Sequence, residues 1–133
     1  MKISDEIKCL FEKIPFMAFA TVSTDNIPNV VAIGSKLIVN DNTIWVIDTF
    51  FDKTKANILQ NNKVAISFWQ GITGYQIKGD AVYHEKGELF ENAVKWILEL
   101  KPNKIVKGVI EIKITDIFSI SANYNDAGKR INC

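Results

Sequence analysis

The stretch FMAFATVSTDNIPNVVAIGSKLIVNDNTIWVID, residues 16–48, decides the fold. Phe16 to Thr24 is rich in strand formers, Thr24-Asp25-Asn26 supplies turn chemistry, and a second strand runs from Asn29 to Asn40. Asp41-Asn42 reads as a two-residue hairpin turn, since both residues tolerate positive φ, and leads into a third strand from Thr43 to Asp48. Connections this short leave no room for βαβ crossovers. The stretch therefore predicts antiparallel β structure and speaks against a doubly wound parallel fold.

The flanks extend that reading. Residues 4–13 read as a short helix with Ile7, Leu10, Phe11 and Ile14 on one face, stopped by Pro15. Downstream, Asp52 is a good N-cap for a two-turn helix over residues 53–60, and Lys63 to Trp69 returns to strand. Tyr75 to His84 alternates, with Tyr75, Ile77, Gly79, Ala81 and Tyr83 on one face. Glu88 to Leu100 is an amphipathic helix whose stripe is Leu89, Phe90, Ala93, Ile97 and Leu100. Gly108 to Ile120 is the last strand, and its strict alternation leaves one face wet. The fold class is mainly β: an antiparallel six-stranded barrel with short flanking helices, residues 1–133 forming a single domain.

Composition narrows the function. Of 133 residues, 47% are hydrophobic and 23% charged, which excludes general disorder. A net charge of +1 gives counterion release little to work with, so the expectation is no nucleic acid. Two cysteines, Cys9 and Cys133, and one histidine, His84, provide poorly for a metal site, a disulfide framework or a Cys/His pair. The N-terminal dozen residues are broken by Asp5, Glu6 and Glu12, unlike a signal peptide, and the apolar run Phe16 to Val22 is too short to span a bilayer. A cytoplasmic protein without membrane association is expected. Cys9 reads as a packing residue, Cys133 as incidental, and His84 as a surface residue.

Two segments carry candidate chemistry. In Ile47-Asp48-Thr49-Phe50-Phe51-Asp52-Lys53-Thr54-Lys55-Ala56-Asn57 a strand ends and a helix begins within a few residues, with Lys53 and Thr54 in its first turn. Free N–H groups, the positive helix end, an ammonium and a hydroxyl suit a phosphate monoester; an ordinary capped surface helix is the plainer alternative. In Val30 to Lys36, Gly34 amid small residues marks either close approach of a ligand to the backbone or a bulge in the barrel. The three tryptophans and eight phenylalanines read mostly as core, except Trp69 beside Gly71 and Gly74, which suits a ligand or a subunit interface.

In their order and spacing these segments resemble the pyridoxamine 5′-phosphate oxidase-like family of FMN-binding split β-barrels, especially its small single-domain flavoproteins. The resemblance runs from about Phe16 to Ile120. It is carried by Ala18-Phe19-Ala20-Thr21-Val22 with the following turn and Pro28, and by the Val30 to Lys36 strand. Lys53-Thr54-Lys55-Ala56-Asn57 leading into Lys63 to Phe68, and Thr73 to Ala81, complete it. It implies a homodimer with FMN at the subunit interface, the isoalloxazine lying along Ala32, Ile33, Gly34 and Ser35. Asp48 and Thr49 would continue the pocket toward the ribityl chain, and Lys53 and Thr54 would hold the phosphate. The family's arginine-rich C-terminal substrate segment has no counterpart here; the tail Asn123 to Ile131 resembles that of small flavin-reductase-like members, with Lys129 and Arg130 read as a solvated pair and contact with a partner's flavin or a substrate anion as the alternative.

The resulting expectation is an FMN-dependent oxidoreductase that passes hydride or electrons to a small molecule, with vitamin B6 oxidation not the leading activity. A flavin or haem carrier or sensor on the same scaffold is the alternative from another class. Haem would call for an axial ligand, and His84 is the one histidine available. A deazaflavin-dependent reductase is the third reading.

Overall fold

The computed structural model describes residues 3–131; Cys133 lies outside them. Helix α1 (Asp5–Lys13) precedes strands β1 (Met17–Val22), β2 (Pro28–Ile33), β3 (Lys36–Asn40) and β4 (Thr43–Asp48). Helix α2 (Lys53–Gln60) leads to β5 (Lys63–Gln70) and β6 (Thr73–His84), and α3 (Glu88–Leu100) to β7 (Gly108–Ser119). The strands form one antiparallel sheet in the order β2-β1-β5-β6-β7-β4-β3, a split barrel.

Seven strands stand where six were expected, because the stretch from Asn29 to Asn40 breaks at Gly34-Ser35. Before the break the chain pairs with β1; after it, with β4. The change of partner opens the barrel at this point. Gly34 lets the Phe16 ring lie close, since a Cβ would stand 3.1 Å from it. The Ser35 carbonyl stays in the ladder by accepting the Ile47 N–H at 2.9 Å.

The barrel interior is filled by alternate residues of the strands, among them Phe19, Ile66, Phe68, Ile77, Ile112 and Ile117, each at most 1% exposed. Helix α1 lays Ile7 and Phe11 against this core, with Phe11 edge-on to Phe68 at 5.4 Å, and Ser4 caps it by accepting the Ile7 N–H. Each such side chain contributes about 1.5–3 kcal/mol on burial. Helix α3 builds a second cluster, in which Ala93 and Ile97 meet Ile47 and Val109.

Several expectations need correction. Leu100 is 65% exposed, because the last turn of α3 meets the sheet through Ile97, with Trp96 beside it, rather than through its final residue. Cys9 is exposed, on the side of α1 opposite the buried Ile7–Phe11 face. Asp52 occupies the N-cap position of α2, yet its carboxylate makes no capping bond. The Asp41-Asn42 turn joins β3 to β4 without positive φ, and Asn40 Oδ1 takes the Asn42 N–H at 3.0 Å. Phe16 and Phe50 are exposed rather than core.

Candidate functional site

The first turn of α2 is open. Its helical ladder begins with Ala56 N–H on the Asp52 carbonyl, and no side chain caps the end, so the N–H groups of Lys53, Thr54 and Lys55 have no intrahelical or capping partner. No acidic residue occupies the first turn. Lys53 is exposed and joins no ion pair or side-chain hydrogen bond among the described residues. Lys55 differs: its Nζ holds Glu85 at 2.5 Å and lies 4.8 Å from the centre of the Tyr83 ring. That ammonium keeps the Glu85 carboxyl below the usual range.

Thr54 points inward. Its Oγ1 accepts from Asn29 Nδ2 at 3.0 Å, and the same amide donates to Thr21 Oγ1 at 3.1 Å. Asn57 Nδ2 also donates to Thr21, at 3.0 Å. This buried polar network locks the start of α2 onto β1 and β2.

The strand residues divide by pleat. Ala32 is exposed, opposite Ala18 across the β1–β2 pair, and Ile33 is buried in the core. Ala32 lines an apolar groove of about 380 Å³ with Phe16, Met17, Ala18, Val30, Val31 and Trp69. Phe16, Val30 and Trp69 are 71%, 63% and 55% exposed, an unusual density of large apolar surface. Gly74 lets the turn lie close, since a Cβ there would stand 2.9 Å from Trp69 Cβ.

On the other side of the break, Ser35 is buried and its Oγ accepts from Lys101 Nζ at 2.9 Å. Lys36 Nζ donates to the Ile14 carbonyl at 2.7 Å. Burial, then the nearby Lys101 charge, holds both Lys36 and Lys104 below the ordinary lysine range. Among the described residues none of these three lysines has a carboxylate partner, which leaves a patch of uncompensated positive charge.

Asp48 is fully buried, bonded to the Phe51 N–H and the Tyr83 hydroxyl, and Thr49 Oγ1 donates to the Ile105 carbonyl at 2.7 Å. The expected residues thus sort into an open helix start at Lys53 and Thr54, a broken strand at Ala32 to Ser35, and a tied turn at Asp48 and Thr49. His84 is half-buried beside Glu111, its Nε2 3.2 Å from the carboxylate. In the tail Arg130 pairs with Asp116 at 2.5 Å, and the Lys129 carbonyl takes the Ser119 N–H. Asn29, Lys36, Lys101 and Lys104 escaped the sequence reading. Lys101 and Lys104, three apart just after a helix, were the available signal for the last two.

Residues 3–121 match the pyridoxamine 5′-phosphate oxidase family. The chain belongs to that family, and its fold is the family's split barrel. An uncharacterized protein of Methanocaldococcus jannaschii is 36% identical over 98% of this chain and 89% of its own length. Among solved structures, HupZ of Group A Streptococcus superposes with a TM-score of 0.83 at 27% identity, covering 96% of this chain and 98% of its own. An FMN-binding protein from Syntrophomonas wolfei gives a TM-score of 0.76 at 20% identity, over 87% of this chain and 84% of its own, and shares the fold. Among the described residues no helix is long and apolar enough to cross a membrane.

Proposed function

We propose that this chain is an FMN-binding flavoprotein, one domain over residues 1–133, that works as a homodimer and oxidises or reduces a small anionic molecule. The observation that carries the reading is the open start of α2. Three unspent N–H groups, an uncompensated Lys53 and the positive helix end converge where a dianionic phosphate would be held.

The residues fit that guest. Asn29 and Thr54 keep the helix start rigid against β2, the strand that carries Ala32 and leads into Gly34-Ser35, so phosphate and ring sites stay in fixed relation. Ala32 is exposed with only a methyl over the main chain, which suits a flat ring, while the Phe16 ring lies over Gly34 and Ile33 serves only the core. When bound, FMN supplies a ring that takes up a hydride and passes electrons on, so no side-chain acid or base is obligatory. Lys36, Lys101 and Lys104 attract the anionic group of the electron partner and orient it beside the broken strand.

The apolar groove between Phe16, Val30 and Trp69 supports a second subunit, which would exclude water from the ring. Cys9, exposed and free, fits a reducing compartment and hence the cytoplasm.

The test is to purify the protein, release any bound cofactor and identify it by mass, then titrate cofactor-free protein with FMN. FMN in the extract, or saturable uptake with flavin absorbance, is the expected result. Haem or a deazaflavin in the extract, or no uptake, overturns the reading.

A further inference from the structure

Asp48 ends β4 with no exposed surface, an expensive place for a carboxylate unless its oxygens are engaged. Oδ1 accepts the Phe51 N–H at 2.8 Å, and Oδ2 accepts the Tyr83 hydroxyl. The Asp48 carbonyl takes the Lys107 N–H at 2.8 Å, and Thr49 is tied to Ile105. Residues 48–51 are fastened on both sides, and α2 begins two residues later.

Tyr83 reaches Asp48 because residue 108, directly opposite Asp48 in the β4–β7 pair, is glycine. A Cβ at Gly108 would overlap the Tyr83 ring and hydroxyl. Burial and the Asp48 carboxylate raise the phenol well above its usual value, so the hydroxyl remains a donor.

We propose that Asp48 and Tyr83 are positioning residues: they fix the turn before α2 so that its free N–H groups converge on the flavin phosphate. The inference rests on the phosphate reading above and adds residues that act through the Phe51 N–H rather than on the ligand.

The experiment compares FMN with riboflavin, which lacks only the phosphate, on the full chain. Wild type binds FMN about tenfold or more tighter than riboflavin, as charge-assisted phosphate contacts require. Tyr83→Phe removes only the hydroxyl, and Gly108→Ala drives the ring from Asp48. In whichever of the two retains a cooperative melt, FMN binding weakens about tenfold while riboflavin binding stays within about twofold. General loosening of the fold would weaken both flavins alike and overturns the positioning role. So does a wild-type preference that survives unchanged in both variants, although the phosphate reading then stands. A wild type that does not distinguish the two flavins removes the phosphate reading and the positioning role with it.

Discussion

Asn29 Nδ2 donates to Thr54 Oγ1 at 3.0 Å, so one amide joins the second strand to the first turn of α2. It also donates to Thr21 Oγ1, which takes a further bond from Asn57. Thr21, Thr54 and Asn57 are buried, and water cannot readily replace a lost partner. Asn29→Ala is expected to cost about 1–3 kcal/mol, the usual penalty for stranding buried polar groups. Urea denaturation measures it, and a midpoint unchanged at constant slope contradicts the network's role. FMN affinity falls in the same variant, because the helix start loses its tie to the strand.

Lys53 and Lys55 sit two residues apart on one helix but have different electrostatic histories. Lys55 is neutralised by Glu85, whereas Lys53, exposed in the first turn, joins no ion pair among the described residues. Lys53→Ala should therefore weaken FMN binding by about 1.5–3 kcal/mol, and Lys55→Ala by less. Fluorescence titration of both variants decides the matter. Equal losses would show that the phosphate sits between the two lysines instead.

The lysine cluster makes a pH prediction. Lys36 and Lys104 titrate below the ordinary value of 10.5, so between their folded values and 10.5 the unfolded chain binds more protons than the folded one. Stability accordingly rises with pH through that window, and the repulsion is fully present below it. Lys101→Gln removes the shared charge and moves both lysines upward, without reaching 10.5, because burial is the larger cause. NMR titration of the lysine side chains reads this directly. Added phosphate raises the same two values in wild type, and values indifferent to both phosphate and Lys101→Gln would discount the cluster as an anion site.

Gly79 tests the packing of the long β6–β7 pair. At the register shift between Lys78 and Gly79 the two backbones come close. A Cβ at residue 79 would stand 2.5 Å from the Lys113 carbonyl oxygen and 2.7 Å from Ile112 Cγ2. Both neighbours belong to β7, an interior strand paired on both sides, so neither yields cheaply. Gly79→Ala should destabilise by about 1–3 kcal/mol through overpacking. A thermal melt within error of wild type would mean the strands separate more easily than their register implies.

Much of this fold was legible because periodicity and turn chemistry agree along most of the chain. The alternation in Ile110 to Thr115 and the start of α2 at Lys53 needed nothing from tertiary structure. The break at Gly34-Ser35 did: a strand that changes partners looks, in sequence, like one long strand with a glycine in it. Leu100 and Phe16 were misplaced for a related reason, since apolar character does not say whether a neighbour from elsewhere in the chain arrives to cover it. Half of the candidate site was visible as a helix start with Lys and Thr. The rest is assembled by distance in sequence: Ser35 with Lys101, 66 residues apart, and Asp48 with Tyr83, 35 apart.

The exposed aromatic pair at the groove makes the last prediction. Phe16 and Trp69 flank Ala32, and together with Val30 they expose apolar surface at a density that isolated soluble chains seldom keep. If a second copy covers this groove, Trp69→Glu places a charge where the partner packs and leaves it without a counter-ion, which costs more than a truncation would. The variant is expected to elute as a monomer in size-exclusion chromatography with light scattering while keeping its melting cooperativity. Lys95→Glu, on the exposed side of α3, stays dimeric and controls for charge alone. Wild-type Trp69 emission shifts to the red on dilution below the dimer dissociation constant, and FMN is released with it if the subunits share the flavin. A Trp69→Glu protein that remains dimeric and yellow would move the interface to another face of the barrel.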